Sequence, residues 1–320
     1  MVNPAPSSHR PTLKDFRKAA ERIKGVALHT PLIPLRRYKE EDTGILLKPE
    51  MLQPVGSYKI RGVYNWASQL PAKERRRGLS TMSAGNMSQG LGYTANLYGV
   101  PSRAIMPDHT PRSKIESCRK YGMEIILMSM KELFEYLDNL PSDYCFLHPL
   151  AEFRLLDGHG TIGLEIMEDA PETDTIYVPL GVGFVSSGTA LAAKALNPNV
   201  RVIGVNAELS PWFYESLKQN RVVPLETIDT IADAINDPVT EDMLQLVRET
   251  LDDVVLVSEE KIRKAIRFLA LENKLVAEGA GAISLAAALS TPKEERGRTV
   301  CVLTGGSIDA DKLSQIIIEH

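Results

Sequence analysis

Short apolar runs rich in β-branched residues alternate with longer amphipathic stretches along nearly the whole chain, and this rhythm limits the fold more than any other feature. The runs are Ile45 to Lys48, Leu79 to Met82, Arg103 to Met106, Glu124 to Met128, Tyr144 to Leu147, Thr175 to Leu180, Arg201 to Asn206, Asp253 to Val257 and Thr299 to Thr304. Helical patterns fall between them, at about Ser57 to Gln69, at Asn86 to Tyr98, after Thr110-Pro111 and from about Lys131. Such alternation predicts an α/β fold of two lobes, with parallel-type open sheets covered by helices on both faces. Ligands of such sheets sit beyond the carboxyl ends of strands, where the strand order reverses. Residues just after the strands should therefore carry the function.

Composition narrows the partners. The 320 residues hold 37 Lys and Arg against 41 Asp and Glu, so the formal charge of −4 offers no electrostatic footprint for nucleic acid or an anionic membrane. A small molecule is the expected ligand. Cys118, Cys145 and Cys301 are scattered, without a C-x-x-C pair or a His cluster at metal-ligand spacing, and read as reduced buried thiols. The polar, Pro-rich start MVNPAPSSHRPT lacks the apolar core of a secretory signal, so a cytoplasmic location is expected. Thr175 to Ala193 carries no charge, but Pro179, Gly181, Gly183 and Gly188 suit a strand, a glycine turn and a helix better than a membrane span.

Four groups follow strands. In Gly56-Ser57-Tyr58-Lys59-Ile60-Arg61-Gly62 a lysine opens a helix, at the positive end of the helix dipole. That is a poor place for a structural salt bridge and a suitable one for an amine that attacks an aldehyde, although most lysines are merely solvated surface groups. Ser83-Ala84-Gly85-Asn86-Met87-Ser88-Gln89-Gly90 enters the next helix, whose N-terminal amides can hold a carboxylate or simply be capped. Gly181-Val182-Gly183-Phe184-Val185 follows the strand ending at Leu180, and its glycines let backbone amides approach a phosphate. Taken alone it could equally open a dinucleotide site, with Glu208 as the ribose acceptor and Ser186 in place of the third glycine. In Leu303-Thr304-Gly305-Gly306-Ser307 a hydroxyl and paired glycines leave room for a flat ring, or make a tight turn.

Together and in this order, the four groups resemble the serine/threonine dehydratase branch of fold type II pyridoxal-phosphate enzymes, which also contains serine racemase. The resemblance covers nearly the whole chain and includes His148-Pro149, Gly158-His159-Gly160-Thr161, Thr230-Ile231-Ala232-Asp233 and Glu278-Gly279-Ala280-Gly281-Ala282. It implies that Lys59 carries pyridoxal 5'-phosphate and is the catalytic base, and that Asn86 hydrogen-bonds the cofactor's ring hydroxyl. It further implies that Ser83, Ala84, Gly85, Asn86 and Met87 grip the substrate carboxylate. By the same likeness Gly181, Val182, Gly183, Phe184 and Val185 cradle the phosphate, and Thr304 meets the pyridine nitrogen. Glu278 is similar to an acidic residue of the family, its role left open. The implied domains are 1–55 plus 148–320, bearing the cofactor, and a smaller 56–147, and the family is commonly dimeric. The implied reaction is β-elimination of water from a small β-hydroxy amino acid such as threonine or serine, giving a 2-oxo acid and ammonia.

Departures from the family pattern set further expectations. Val182 and Phe184 interrupt what is usually an unbroken run of glycines, so the turn should differ and Phe184 could crowd the site. Ala84 stands where serine racemase has a second serine, which favours elimination over racemisation because no opposite-face proton donor is left. Asn206, Pro211 and Trp212 replace acidic residues that bind a divalent ion in some members, so no metal is expected. Met87 stands where many members have His, and His159 where many have Gln, which points to an unusual substrate. Alternatives are another 3-hydroxy amino acid (hydroxyaspartate, phenylserine or larger), an amino-acid racemase, β-replacement as in cysteine synthases, a dinucleotide-binding oxidoreductase, or a cofactor-bound protein without turnover. With the chain ending at His320, an appended regulatory domain is not expected.

Overall fold

The computed structural model describes residues 8–36, 43–226 and 228–319, so Met1 to Ser7 of the polar N-terminal stretch lie outside the described residues. The apolar runs become strands β1 Ile33–Pro34, β2 Ile45–Pro49, β3 Leu79–Met82, β4 Ser102–Pro107, β5 Glu124–Met128, β6 Cys145–Leu147, β7 Thr175–Pro179, β8 Arg201–Ala207, β9 Asp253–Val257 and β10 Thr299–Leu303. They build a six-stranded sheet in the order β1-β2-β10-β7-β8-β9 and a four-stranded sheet in the order β5-β4-β3-β6. Every pairing is parallel except that of β1 with β2. The two-residue β1 is too short to alternate and was not expected from the sequence. Its Pro34 lacks a backbone donor, which an edge position tolerates.

Alternation within the strands explains why both faces of the large sheet are covered. Ile176 and Val178 of β7, with Val300 and Val302 of β10, pack against Ile162, Ile166, Ala190 and Ala193. Tyr177, Cys301 and Leu303 point the other way, onto Ile283, Ala286 and Ala287 of the Gly279–Ser290 helix. An apolar run that is continuous in sequence is thus divided between two cores by the pleat. The uncharged Thr175 to Ala193 stretch breaks into β7, a glycine turn and the Phe184–Leu196 helix, and no helix of the described residues is long and apolar enough to cross a membrane.

Both sheets reverse direction. From β7 the chain steps outward to β8 and β9, while β10 lies on the opposite side of β7. From β3 it steps to β4 and β5, while β6 lies on the opposite side of β3. Each sheet therefore opens a crevice at its strand carboxyl ends, between β7 and β10 and between β3 and β6.

The Lys59–Ser68 helix is fixed beside these crevices by its third residue. Arg61 is fully buried. Its Nε and Nη2 donate to the two oxygens of Glu50 at 2.7 and 2.8 Å, and Nη1 and Nη2 donate to those of Glu165 at 2.6 and 2.8 Å. Nη2 also reaches the Leu28 carbonyl at 2.9 Å and Nη1 the Thr161 hydroxyl at 3.0 Å. The buried Lys48 of β2 donates to Glu165 Oε2 at 2.5 Å and to the Thr30 carbonyl at 2.6 Å. Burial alone pushes the Glu50 carboxyl up, but the adjacent Arg61 charge and its hydrogen bonds outweigh that and hold it below the ordinary range. Removing Arg61 leaves two buried carboxylates with one cation between them. We expect Arg61→Ala to cost about 3–5 kcal/mol in unfolding free energy, measured from urea denaturation midpoints.

Candidate active site

The two crevices face each other across one cavity of about 700 Å3. β3 delivers Ser83 to Met87 into its wall, β6 delivers His148 and Pro149, β7 delivers Gly181 to Val185, and β10 delivers Thr304 and Ser307. Lys59 and Glu278 line the same space. All residues singled out from the sequence for cofactor or carboxylate binding are therefore brought together.

Lys59 owes its place to the loop after β10. The Tyr58 amide donates to the Thr304 carbonyl at 3.0 Å, the Gly306 amide donates to the Gly56 carbonyl at 3.0 Å, and Ser57 pairs with Gly305. This stitching sets the entry to the Lys59–Ser68 helix directly beside Thr304. The Lys59 Nζ lies 4.8 Å from the Tyr58 ring centroid. The Thr304 hydroxyl donates to the Ala280 carbonyl at 3.3 Å.

The Gly181–Val185 turn shows why only two of its positions must be glycine. Gly183 has φ +93°, and a Cβ there would lie 3.0 Å from Val247 Cγ2. A Cβ at Gly181 would lie 3.1 Å from Ile235 Cα. Val182 and Phe184 instead have apolar neighbours, and the Phe184 ring, 4% exposed, packs edge-on against Phe153 with centroids 5.1 Å apart. Phe184 thus borders the cavity while its ring is anchored on Phe153. No side chain caps the Phe184–Leu196 helix, and its first-turn amides keep their capacity for an anion. The Asn86–Tyr98 helix is likewise without a side-chain cap.

A glycine turn that a Cβ would fill, two anion-accepting helix ends, an amine and a hydroxyl suit an anionic aromatic aldehyde such as pyridoxal 5'-phosphate. They do not suit a dinucleotide. Glu208, the ribose acceptor of that alternative, is exposed and does not line the cavity, and the Ser186 hydroxyl closes back onto the Gly183 carbonyl at 3.0 Å. Asn206 is committed to the fold, since its amide donates to the Leu180 carbonyl at 2.6 Å and its oxygen accepts the Tyr214 amide at 3.1 Å. Among the described residues no His, Cys, Asp and Glu cluster could hold a metal ion.

Titratable groups crowd the cavity wall. Asn86 Nδ2 donates to Glu278 Oε1 at 2.9 Å, and the Ser307 hydroxyl donates to Asn86 Oδ1 at 2.7 Å. Burial, with the nearby Asp233 adding to it, pushes the Glu278 carboxyl up to about 7, against the pull of the Asn86 hydrogen bond. Burial also raises the half-buried Asp237, with Lys59 working the other way. His159 is 1% exposed, and burial, then the charges of Lys59 and Arg61, holds it well below the usual imidazole value. Its Cε1 nests where Gly62 has no side chain, since a Cβ there would come within 2.3 Å, and its ring meets Tyr58 edge-on at 4.7 Å.

Sequence reasoning missed two parts of this wall. Asp237 lies a few residues past Thr230-Ile231-Ala232-Asp233 and carries no motif of its own. Met130, Leu133, Phe134 and Leu137 of the Met130–Asp138 helix also line the cavity, at a spacing that reads as an ordinary core face.

Two outcomes follow from this geometry. Gly183→Ala forces a left-handed backbone on a residue with a Cβ, and we expect about tenfold weaker cofactor binding by spectroscopic titration. Glu278 titrates higher in the fold than its ordinary 4.5, so the unfolded chain loses this proton first and the group's contribution falls as pH rises from 4.5 towards about 7. Cofactor-free Glu278→Gln should therefore show a flatter dependence of Tm on pH across that window. Its gain relative to the parent should be greatest above about pH 7, with an upper bound on the order of 3 kcal/mol.

Comparison with known proteins agrees with the site. The family model for pyridoxal-phosphate dependent enzymes matches residues 23–305. The chain is 39% identical to an L-threonine ammonia-lyase of Thermotoga maritima over 96% of this chain and 78% of that one. It is 35% identical to a catabolic L-threonine dehydratase of Escherichia coli, over 95% of each. Among solved structures, a maize serine racemase superposes with a TM-score of 0.88 at 29% identity, covering 96% of this chain and 97% of that one. A serine racemase from Dictyostelium discoideum superposes with a TM-score of 0.83 at 28% identity, covering 93% and 99%. With its two open α/β sheets and the glycine turn after β7 lining one cavity, this chain belongs to the fold type II pyridoxal-phosphate dependent enzymes, in the group similar to threonine dehydratase and serine racemase.

Proposed function

We propose that the protein is an ammonia-lyase that uses pyridoxal 5'-phosphate to remove water from a small 3-hydroxy amino acid, threonine first, releasing a 2-oxo acid and ammonia. The observation that carries this reading is that Lys59, the Gly181–Val185 turn and the Ser83–Met87 helix entry line one cavity. The likeness to threonine ammonia-lyases over nearly the full chain supports it.

When bound, the cofactor supplies an aldehyde for an amine to join and a ring that takes up charge from Cα. The first-turn amides of the Phe184–Leu196 helix would hold its phosphate. Asn86, pinned by Glu278 and Ser307, would bind the ring hydroxyl, and the Thr304 hydroxyl would serve the pyridine nitrogen. An uncharged hydroxyl there does not hold that nitrogen protonated as a carboxylate would, which suits expulsion of a β-substituent. The Asn86–Tyr98 helix entry holds the substrate carboxylate. Lys59 would hold the cofactor and, with substrate bound, would take up the Cα proton on its own side. Ala84 offers no hydroxyl for a second proton transfer, so elimination is favoured over racemisation. Tyr58 and the uncharged His159 back the lysine and keep water out.

The small sheet lies wholly within 79–147, which supports a cofactor-bearing domain of 1–55 plus 148–320 and a smaller domain of 56–147. Three free, buried cysteines suit a reducing compartment such as the cytoplasm. The test is release of oxo acid and ammonia from L-threonine, with enantiomer exchange of serine followed in parallel. Lys59→Ala should lower turnover by at least about a thousandfold and abolish the cofactor's covalent attachment under borohydride. Undiminished turnover in that variant, or enantiomer exchange exceeding oxo-acid release in the parent, would overturn the reading.

A further inference from the structure

The cavity is larger than a threonine side chain needs, and its unassigned walls differ in character. One is apolar: Met130, Leu133, Phe134 and Leu137 turn one face of their helix into it, with Met130 49% and Phe134 64% exposed at the mouth. The other is acidic, lined by Asp233, Asp237 and Glu278.

Among the described residues, the cations that line the cavity with these carboxyls are three lysines, Lys59, Lys114 and Lys312. Lys59 is committed to the chemistry. Lys114 is held by Asp233 at 2.8 Å, and Lys312 is exposed. No arginine lines the cavity among the described residues. Asp237 has no hydrogen bond or ion pair to another described residue, although it sits close enough to Lys59 for their charges to interact. A second carboxylate on a substrate would therefore meet the unpaired Asp237, while the lysines left to receive it are Lys114, already paired, and the exposed Lys312. An apolar substituent would meet the Met130–Leu137 face.

Resting on the function proposed above, we propose that the site selects 3-hydroxy amino acids whose side chain is uncharged, from a methyl group up to an aryl ring, and rejects dicarboxylates, with Asp237 as the specificity-determining residue. Asp237 acts by repulsion: it disfavours the wrong substrate without having to bind the right one.

The test compares kcat/KM of the holoenzyme for L-threonine, 3-phenylserine and 3-hydroxyaspartate, read as oxo-acid release. The ratio between two substrates on one preparation does not depend on the fraction folded, so a poorly folding variant remains informative. We expect the parent to favour threonine over hydroxyaspartate by about a hundredfold and to use phenylserine within about tenfold of threonine. Asp237→Asn should lower the threonine-to-hydroxyaspartate ratio at least about tenfold, and Asp237→Glu should keep it. A parent that uses hydroxyaspartate as well as threonine, a ratio that Asp237→Asn leaves unchanged, or rejection of phenylserine overturns this inference while the proposed function stands. Turnover of none of the three sinks the proposed function and this inference with it.

Discussion

The buried Arg61 network is the constraint on which the site depends. One guanidinium satisfies four carboxylate oxygens, from Glu50 just after β2 and from Glu165 on the Thr161–Asp169 helix. Such an arrangement adds little net stability compared with a well-packed apolar core. What it adds is direction: the planar fork can be satisfied in one orientation, so the helix carrying it cannot roll or slide. Lys59 lies two residues earlier on that helix, and its position is inherited from Arg61 as much as from its own contacts.

A second consequence of topology is that the lobes need no special device to form a site. Each sheet reverses its strand order once, and each reversal leaves a crevice at the carboxyl ends. The loop after β10 is hydrogen-bonded to the entry of the Lys59 helix, and Asn86 from one sheet's crevice reaches Glu278 and Ser307 beside the other's. Some of the hydrogen bonds that join the lobes, those of Asn86 with Glu278 and Ser307, are thus made by groups that also line the cavity.

Much of this was legible in the chain because strand and helix periods differ and glycine turns stand out between them. Nine of the ten strands lie close to where alternation places them, and the Asn86–Tyr98 helix has the expected bounds. β1 was not legible, since two residues carry no period. Asp237 and the Met130–Leu137 face were not legible for another reason: a lone acid in a loop and an apolar helix stripe look the same whether they face solvent, core or cavity. The partners of Arg61 come from distant parts of the chain, and no local pattern links Glu50 to Glu165. Asn86, Gly181, Gly183 and Thr304 could be named because each closely follows a strand, and Lys59 because it opens a helix within its own motif.

The altered phosphate turn shows what such a site can vary. The capacity for an anion that we propose there would rest on backbone amides and on the dipole of the helix they open, neither of which belongs to a side chain. The two positions retained as glycine are those where a Cβ would press on Ile235 or Val247. At Val182 and Phe184 the side chains have somewhere to go, and Phe184 joins Phe153 in a core shared with Val63, Trp66 and Leu91. A larger residue in the turn therefore ties the anion site to the packing of the small sheet, where an unbroken glycine run would leave the turn slack. In the proposal made here, selectivity falls to walls that the backbone does not build, the acidic and apolar faces of the same cavity.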